Sequence, residues 1–179
     1  MSQAKYQIQV LGEKFEGEWD AVINAPFGHL GVQTEIVDQS LMVSQIAYLS
    51  AHVELKSAKT DLAKEVARQC KHYFKDPDFM FDLPLKPGGT QFQQTVWAEI
   101  SKITRGQTQT YGWVAKKIKS APRAVGQACG ANRYPLIIPC HRIISATGIG
   151  GFAHQDGDGF HRNVKKWLLD HEGVTWAAK

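Results

Sequence analysis

The stretch Pro139-Cys140-His141-Arg142 follows the apolar run Leu136-Ile137-Ile138. Its residue types can do nucleophilic chemistry: a thiolate attacks, and a neighbouring imidazole can hold the proton that the thiol gives up. Free cysteine has a pKa of about 8.5, so little is ionised at neutral pH unless a base or a positive field assists. Positive charge is at hand. No Asp or Glu occurs from Ile100 to Gln155, while Lys and Arg recur through the same residues. A reactive thiol in such a segment points to a nucleophile that works against a polyanion.

The composition bounds the elements that position this thiol. A chain of 179 residues suits one large or two small domains, and 43% hydrophobic content supports a core. No run of about 18 apolar residues is present, so no transmembrane helix is expected. Met1-Ser2-Gln3-Ala4-Lys5 lacks the basic-then-apolar plan of a secretory signal. The three cysteines, Cys70, Cys129 and Cys140, are an odd number without a CxxC pair. That pattern fits a reducing cytoplasm and argues against a disulfide framework or a cysteine-rich zinc site.

The net charge of +4 is unevenly spread. Residues 1–89 carry 9 basic and 12 acidic groups, whereas residues 90–179 carry 12 basic and 5 acidic ones. An acidic half joined to a basic half fits nucleic-acid binding by the second, or chance clustering of charge. The segment Leu83-Pro84-Leu85-Lys86-Pro87-Gly88-Gly89 reads as a linker, giving an N-terminal domain over 1–83, a linker over 84–90 and a second domain over 91–179. In the first, Ala21 to Asn24, Gly31 to Ile36 and Leu41 to Leu49 read as strands and Asp61 to Phe74 as a helix. Leu62, Val66, Cys70 and Tyr73 or Phe74 would lie on one helix face. A small α+β domain is predicted.

The second half reads as helical. Thr90 and Gln93 form a capping-box pattern, followed by Phe92, Val96, Trp97, Ile100 and Ile103 at helical spacing up to Arg105-Gly106. Thr110 caps a second helix with Tyr111, Val114, Ala115 and Ile118 as its apolar positions. Pro122 opens a third after the turn Lys119-Ser120-Ala121. These are helix-turn-helix proportions. The third helix carries Ala124, Gly126, Ala128, Gly130 and Ala131. A helix-interior glycine costs about 1 kcal/mol relative to alanine, so close approach of a partner or a tight helix crossing must offset it. The flanking Lys116, Lys117, Lys119, Arg123 and Arg133 favour DNA.

Several blocks in order resemble the O6-alkylguanine-DNA alkyltransferase (methylated-DNA–protein-cysteine methyltransferase) family, bacterial type. Ile138-Pro139-Cys140-His141-Arg142 is similar to its active-site motif, and Phe92-Gln93-Gln94-Thr95-Val96-Trp97 to the opening catalytic helix. Thr110-Tyr111-Gly112 and Arg123-Ala124-Val125-Gly126 resemble its DNA-binding helix pair. Gly148-x-Gly150-Gly151-Phe152 resembles the substrate loop, and Trp167-Leu168-Leu169-x-His171-Glu172-Gly173 the closing helix. The resemblance is strong over 90–179 and weaker over 1–89.

The resemblance implies an α+β fold. A small N-terminal α/β, ribonuclease H-like domain would precede a mostly helical, winged helix-turn-helix domain. It implies methylated-DNA–[protein]-cysteine S-methyltransferase activity: irreversible, single-turnover transfer of the alkyl group from O6-alkylguanine, or less efficiently O4-alkylthymine, to Cys140. His141 would be the base, acting through a water, Glu172 its orienting carboxylate, and Tyr111 the proton donor to the leaving guanine. Thr90, Gln91, Arg123, Ala124, Gly126, Gln127 and Gly130 would contact DNA, with Arg123 filling the gap left by the flipped nucleotide. Tyr111, Asn132, Pro135, Ile143, Gly150, Phe152 and Ala153 would line the base pocket. No cofactor and no metal are implied. The partner is double-stranded DNA containing O6-alkylguanine, with no membrane, and a cytoplasmic, nucleoid-associated monomer that could bind DNA cooperatively.

The segment Ala153 to His161 is longer than the family pattern. Three other readings make different demands. Damage-binding modules of the alkyltransferase-like type lack the cysteine. A helix-turn-helix transcription factor needs long polar side chains on its third helix. A Cys-His hydrolase needs an oxyanion hole and has no use for the basic tract.

Overall fold

The computed structural model describes residues 9–10, 13–14, 18–150 and 159–175. Phe152 and Ala153 lie outside the described residues, as does most of the long segment that contains Ala153. Two short strands, β1 (Gln9–Val10) and β2 (Glu13–Lys14), pair with each other. The three strands expected in the first half form an antiparallel meander of β3 (Ala21–Ala25), β4 (Gly28–Val37) and β5 (Ser40–Leu49). Pro26 and Phe27 link the first pair. Asp38 and Gln39, with φ of 48° and 65°, link the second through the doubly positive-φ turn that matches strand twist.

Helix α1 (Asp61–Lys75) lies on this sheet. Thr60 caps it by accepting a hydrogen bond from the Ala63 amide at 3.0 Å. Ala63, Val66, Gln69, Cys70 and Tyr73 form its buried face. The proline- and glycine-rich segment is less detached than a plain linker. Val43 exchanges backbone hydrogen bonds with Pro84 and Lys86, both 2.8 Å, so Leu85 bridges to β5.

Helix α2 (Gln91–Ile100) carries both hydrogen bonds of the capping box between Thr90 and Gln93. It ends earlier than the apolar spacing suggests. Tight turns take over after Ile100, Gly106 reverses the chain at φ 80°, and Ile103 is buried from a loop. Next come β6 (Gln109–Thr110), α3 (Tyr111–Lys117) and α4 (Pro122–Gly130), with Thr110 capping α3 and Pro122 at the first turn of α4. The two helices pack on each other, and Trp97 of α2 donates to the Ala128 carbonyl at 2.8 Å. After a 3-10 turn (Cys140–Arg142), β7 (Ile143–Ile144) pairs in parallel with β6. Helix α5 (Phe160–His171) closes the chain.

Buried side chains from both halves form one continuous apolar cluster, from Leu30 and Val66 through Val96 and Val125 to Leu168. The mixed α+β architecture is as expected. Leu168, fully buried on α5, carries the last helix into this core. Leu168→Ala should cost about 2–5 kcal/mol and lower Tm by roughly 5–15 °C. A thermal melt showing a shift under about 2 °C would mean that α5 is not held by this packing.

Candidate active site

The turn that presents Cys140 is shaped by its proline. Pro139 sits at φ −82°, ψ 63°, and the Cys140 amide donates to the Ile138 carbonyl at 2.8 Å. This is an inverse γ-turn, whose φ lies close to the value that the proline ring fixes. Upstream, Leu136 is buried with φ 73°, a conformation that non-glycine residues rarely adopt. Asn132 holds the strained loop. Its side-chain NH2 donates to the Ile138 carbonyl at 2.9 Å and to Cys140 Sγ at 3.2 Å, and its oxygen accepts from the Tyr134 amide at 2.8 Å. The asparagine thus ties the end of α4 to the thiol turn. Cys140 itself is only 5% exposed.

Glu172 reaches the same place from the other side. It caps the C-terminus of α5, and Gly173 follows at φ 75°. The Gly173 amide donates to the Asp170 carbonyl at 3.0 Å and the Val174 amide to the Leu169 carbonyl at 2.9 Å. This is the Schellman pattern, and the glycine makes it possible. A carboxylate at a helix C-terminus faces the unfavourable end of the dipole, and Glu172 is fully buried as well. Four hydrogen bonds offset both costs. His141 Nε2 donates to Oε1 at 2.9 Å, Arg142 forks onto Oε1 and Oε2 at 2.9 Å each, and the Tyr73 hydroxyl donates to Oε1 at 2.7 Å. Burial alone would raise the carboxyl, but the bonds from His141 and Arg142 hold it well below the usual carboxylate range.

The tautomer of His141 follows. An ionised carboxylate accepts only, so Nε2 carries the proton and Nδ1 keeps a lone pair. Burial lowers the imidazole from its ordinary value against the opposing pull of Glu172, so the ring is neutral near pH 7. Nδ1 is buried with no side-chain or backbone partner among the described residues. The arrangement can take a proton from a nearby thiol at Nδ1 and stabilise the resulting imidazolium through Nε2. Burial pushes the Cys70 thiol up to about 12, and contact with the Cys140 thiol, followed by burial, pushes Cys129 well up.

Tyr111 opens α3 and is half-buried. A Cβ added at Gly150 would lie 3.5 Å from its ring, and one added at Gly126 would lie 3.8 Å away. Lys165 Nζ stands 5.8 Å from the ring centroid and donates to the Ile143 carbonyl at 2.6 Å. Burial lowers that ammonium to about 8. Ile143 is fully buried, with its carbonyl accepting from Lys165, and Pro135 is half-buried in the loop. On α4, Arg123 and Gln127 are exposed and Ala124 and Gly126 are half-buried. Gly130 is buried at the helix end, unlike Arg123 and Gln127. Thr90 and Gln91 are exposed at the start of α2. Sequence reasoning missed Tyr73 and Lys165 as site neighbours. Tyr73 was legible only as an apolar helix position, and Lys165 only as one of several basic residues before Trp167.

A buried thiol thus sits beside an imidazole–carboxylate pair, next to two short helices joined by a tight turn. Residues 91–174 match the family model for the 6-O-methylguanine DNA methyltransferase DNA-binding domain. The chain is 35% identical over 128 residues to a methylated-DNA–protein-cysteine methyltransferase of Archaeoglobus fulgidus, covering 72% of this chain and 84% of that one. It is 36% identical over 118 residues to the constitutive enzyme of that name from Bacillus subtilis, covering 64% and 68%. Its fold resembles that of Mycobacterium tuberculosis OGT solved in complex with DNA, with TM-score 0.66, 31% identity and coverage of 84% and 90%. The chain belongs to the methylated-DNA–protein-cysteine methyltransferase family.

The site makes stability depend on pH. Unfolded, His141 takes a proton near pH 6.5 that the native ring refuses, so stability falls as pH drops below about 6.5. His161, also lowered by burial, adds to this step. A second loss follows below about pH 4.5, where unfolded Glu172 protonates before the native carboxylate does. Tm should therefore fall from pH 7 to pH 4, and Glu172→Gln should flatten the lower step. A Tm independent of pH over this range would contradict the assigned charge states.

Proposed function

We propose that Cys140 accepts the alkyl group of O6-alkylguanine in double-stranded DNA and keeps it as a thioether. Direct alkyl transfer of this kind is the activity of the family. The observation that carries the residue assignment is the buried pair His141–Glu172 at 2.9 Å beside a 5%-exposed thiol. His141 Nδ1 takes the thiol proton, directly or through a water. The sulfur attacks the alkyl carbon, an S–C bond forms as the C–O6 bond breaks, and the electron pair passes into the guanine ring. Tyr111 protonates N3 as that charge develops, with the Lys165 ammonium near its ring. His141 then releases the proton that it took and Tyr111 regains one through solvent, so that overall the thiol proton is exchanged for the alkyl group, and nothing regenerates the thiol. The cysteine sets the chain apart from a damage-binding module without repair activity.

A thiol this buried cannot reach a base inside a duplex, so the alkylated nucleotide must leave the stack. The exposed face of α4 suits that task. Gly126 has room inside the protein for a Cβ, so internal packing does not demand the glycine. Close approach to a groove about 6 Å wide would. Arg123 stands at the first turn of this helix, where its side chain can fill the vacated space, with Gln127 one turn on and Thr90 and Gln91 at the rim. Tyr111, Asn132, Pro135 and Gly150 are the described residues that would line the pocket for the extruded base. The second unit would span 91–179, joined through 84–90 to an N-terminal unit over 1–83. The protein would act on DNA in the cytoplasm as a monomer. Among the described residues, no helix is long and apolar enough to cross a membrane.

Protein mixed with excess duplex carrying O6-methylguanine should gain one methyl group, on the peptide containing Cys140, and then stop. Intact mass followed by peptide mapping reads this. Repeated turnover, or label on Cys129 or Cys70, would refute the assignment. Arg123→Ala should slow transfer from duplex DNA at least tenfold more than transfer from free O6-benzylguanine, which needs no flipping. Equal losses would assign Arg123 to the fold.

A further inference from the structure

Resting on the reading of Cys140 as alkyl acceptor, we infer that Tyr73, in the N-terminal half, is a positioning residue of the reaction: its hydroxyl fixes Glu172 Oε1 toward His141 and moderates its basicity. The hydroxyl donates to Glu172 Oε1 at 2.7 Å, the shortest of the four bonds to that carboxylate. Tyr73 and Glu172 are 99 residues apart in sequence, and they are 2% and 0% exposed. The Tyr73 carbonyl also accepts from His171 Nε2 at 2.6 Å, so one residue holds two consecutive residues at the end of α5. Its ring has little freedom to turn away. It packs edge-on to His171 with centroids 5.2 Å apart, and against Phe81 at 5.5 Å. His171 in turn stacks on Trp167 at 4.6 Å.

The chemistry of this bond has a sign. Oε1 accepts from His141, Arg142 and Tyr73 together, and each donor withdraws charge from the carboxylate. The less charge remains on Oε1, the less tightly His141 would hold a second proton, and the more fully it is a free base at neutral pH. Among the described residues, Lys165 of α5 acts on His141 through its charge, and the following groups surround the carboxylate. His141 and Arg142 come from the thiol turn, Tyr73 from α1, and Arg105 donates to the Glu172 backbone carbonyl at 3.3 Å. Tyr48 of β5 lies near enough to Cys140 and Glu172 to feel their charge, and burial is the main reason its phenol is pushed well up. Of these, Arg142 and Tyr73 are the donors to the carboxylate besides the base itself. Arg142 keeps its charge at every accessible pH. The adjustable donor therefore comes from the other half of the chain.

The test is the pH profile of single-turnover transfer from O6-benzylguanine and from O6-methylguanine duplex, for wild type and Tyr73→Phe, with melts as a folding control. Without the hydroxyl, Oε1 is more basic, His141 keeps its proton to higher pH, and the acidic limb of the rate moves up. The expected loss is about threefold to tenfold at pH 6, closing to under twofold by pH 8.5. Placing 3-fluorotyrosine at position 73 keeps the ring, makes the hydroxyl a stronger donor, and should move the limb the other way. That variant serves even if Tyr73→Phe folds poorly. In a Glu172→Gln background, Tyr73→Phe should shift the profile no further. An acidic limb that stays in place in both Tyr73 variants overturns the inference, and so does a uniform loss at every pH, which marks a packing role. Failure of wild type to transfer the alkyl group at all would instead overturn the reading on which the inference rests.

Discussion

Burying the Glu172 carboxylate at the C-terminal end of a helix is the constraint that orders the rest of this structure. Desolvation and the helix dipole both oppose the charge, and a buried carboxylate left short of donors would protonate or unfold its surroundings. The chain meets the cost with donors from separate segments. His141 and Arg142 come from the thiol turn and Tyr73 from α1. Each donor must be brought to one point, and that requirement draws together the sheet-backed helix of the first half, the Cys140 turn and α5. The one continuous apolar core across both halves is the packing counterpart of this demand.

The same clamp sets the states of the residues around the thiol. Arg142 neutralises the carboxylate in a fork and reaches on to the Ile103 carbonyl at 2.6 Å, so the thiol turn is also pinned to the loop after α2. With Glu172 ionised, the His141 proton stays on Nε2 and the lone pair faces away on Nδ1. Asn132 holds the turn from the α4 side, through the Ile138 carbonyl and the sulfur. The helix pair and the thiol are therefore one mechanical unit, with Trp97 anchoring α4 from behind. A disturbance at the exposed face of α4 has a short path of hydrogen bonds to Cys140.

Much of this was legible in the residues, for physical reasons that differ by element. The meander and α1 follow from period-two and period-3.6 apolar spacing, and Thr90 and Thr110 are caps that a sequence announces. Gly173 signals the helix end that places Glu172. The end of α2 was misread because Ile103 keeps helical spacing while the backbone has already turned. The strained φ of Leu136 has no signature, since leucine gives no hint of a left-handed conformation. Tyr73 counted as one more apolar position on an amphipathic helix, and its hydroxyl matters only through a partner 99 residues away. Long-range polar pairing of that kind is invisible to local pattern. The segment 84–90 likewise showed its prolines and glycines but not its bridge to β5.

The chemistry proposed for Cys140 turns on the protonation of one imidazole. Nitrogen NMR of histidine-labelled protein at pH 7, assigned with a His141→Gln variant, reads it directly. The structure predicts a neutral His141 ring with the proton on Nε2 and a bare, pyridine-like Nδ1. A ring protonated on both nitrogens at pH 7, or a neutral ring with its proton on Nδ1, would contradict the claim that the buried Glu172 clamp holds His141 ready to take the Cys140 proton.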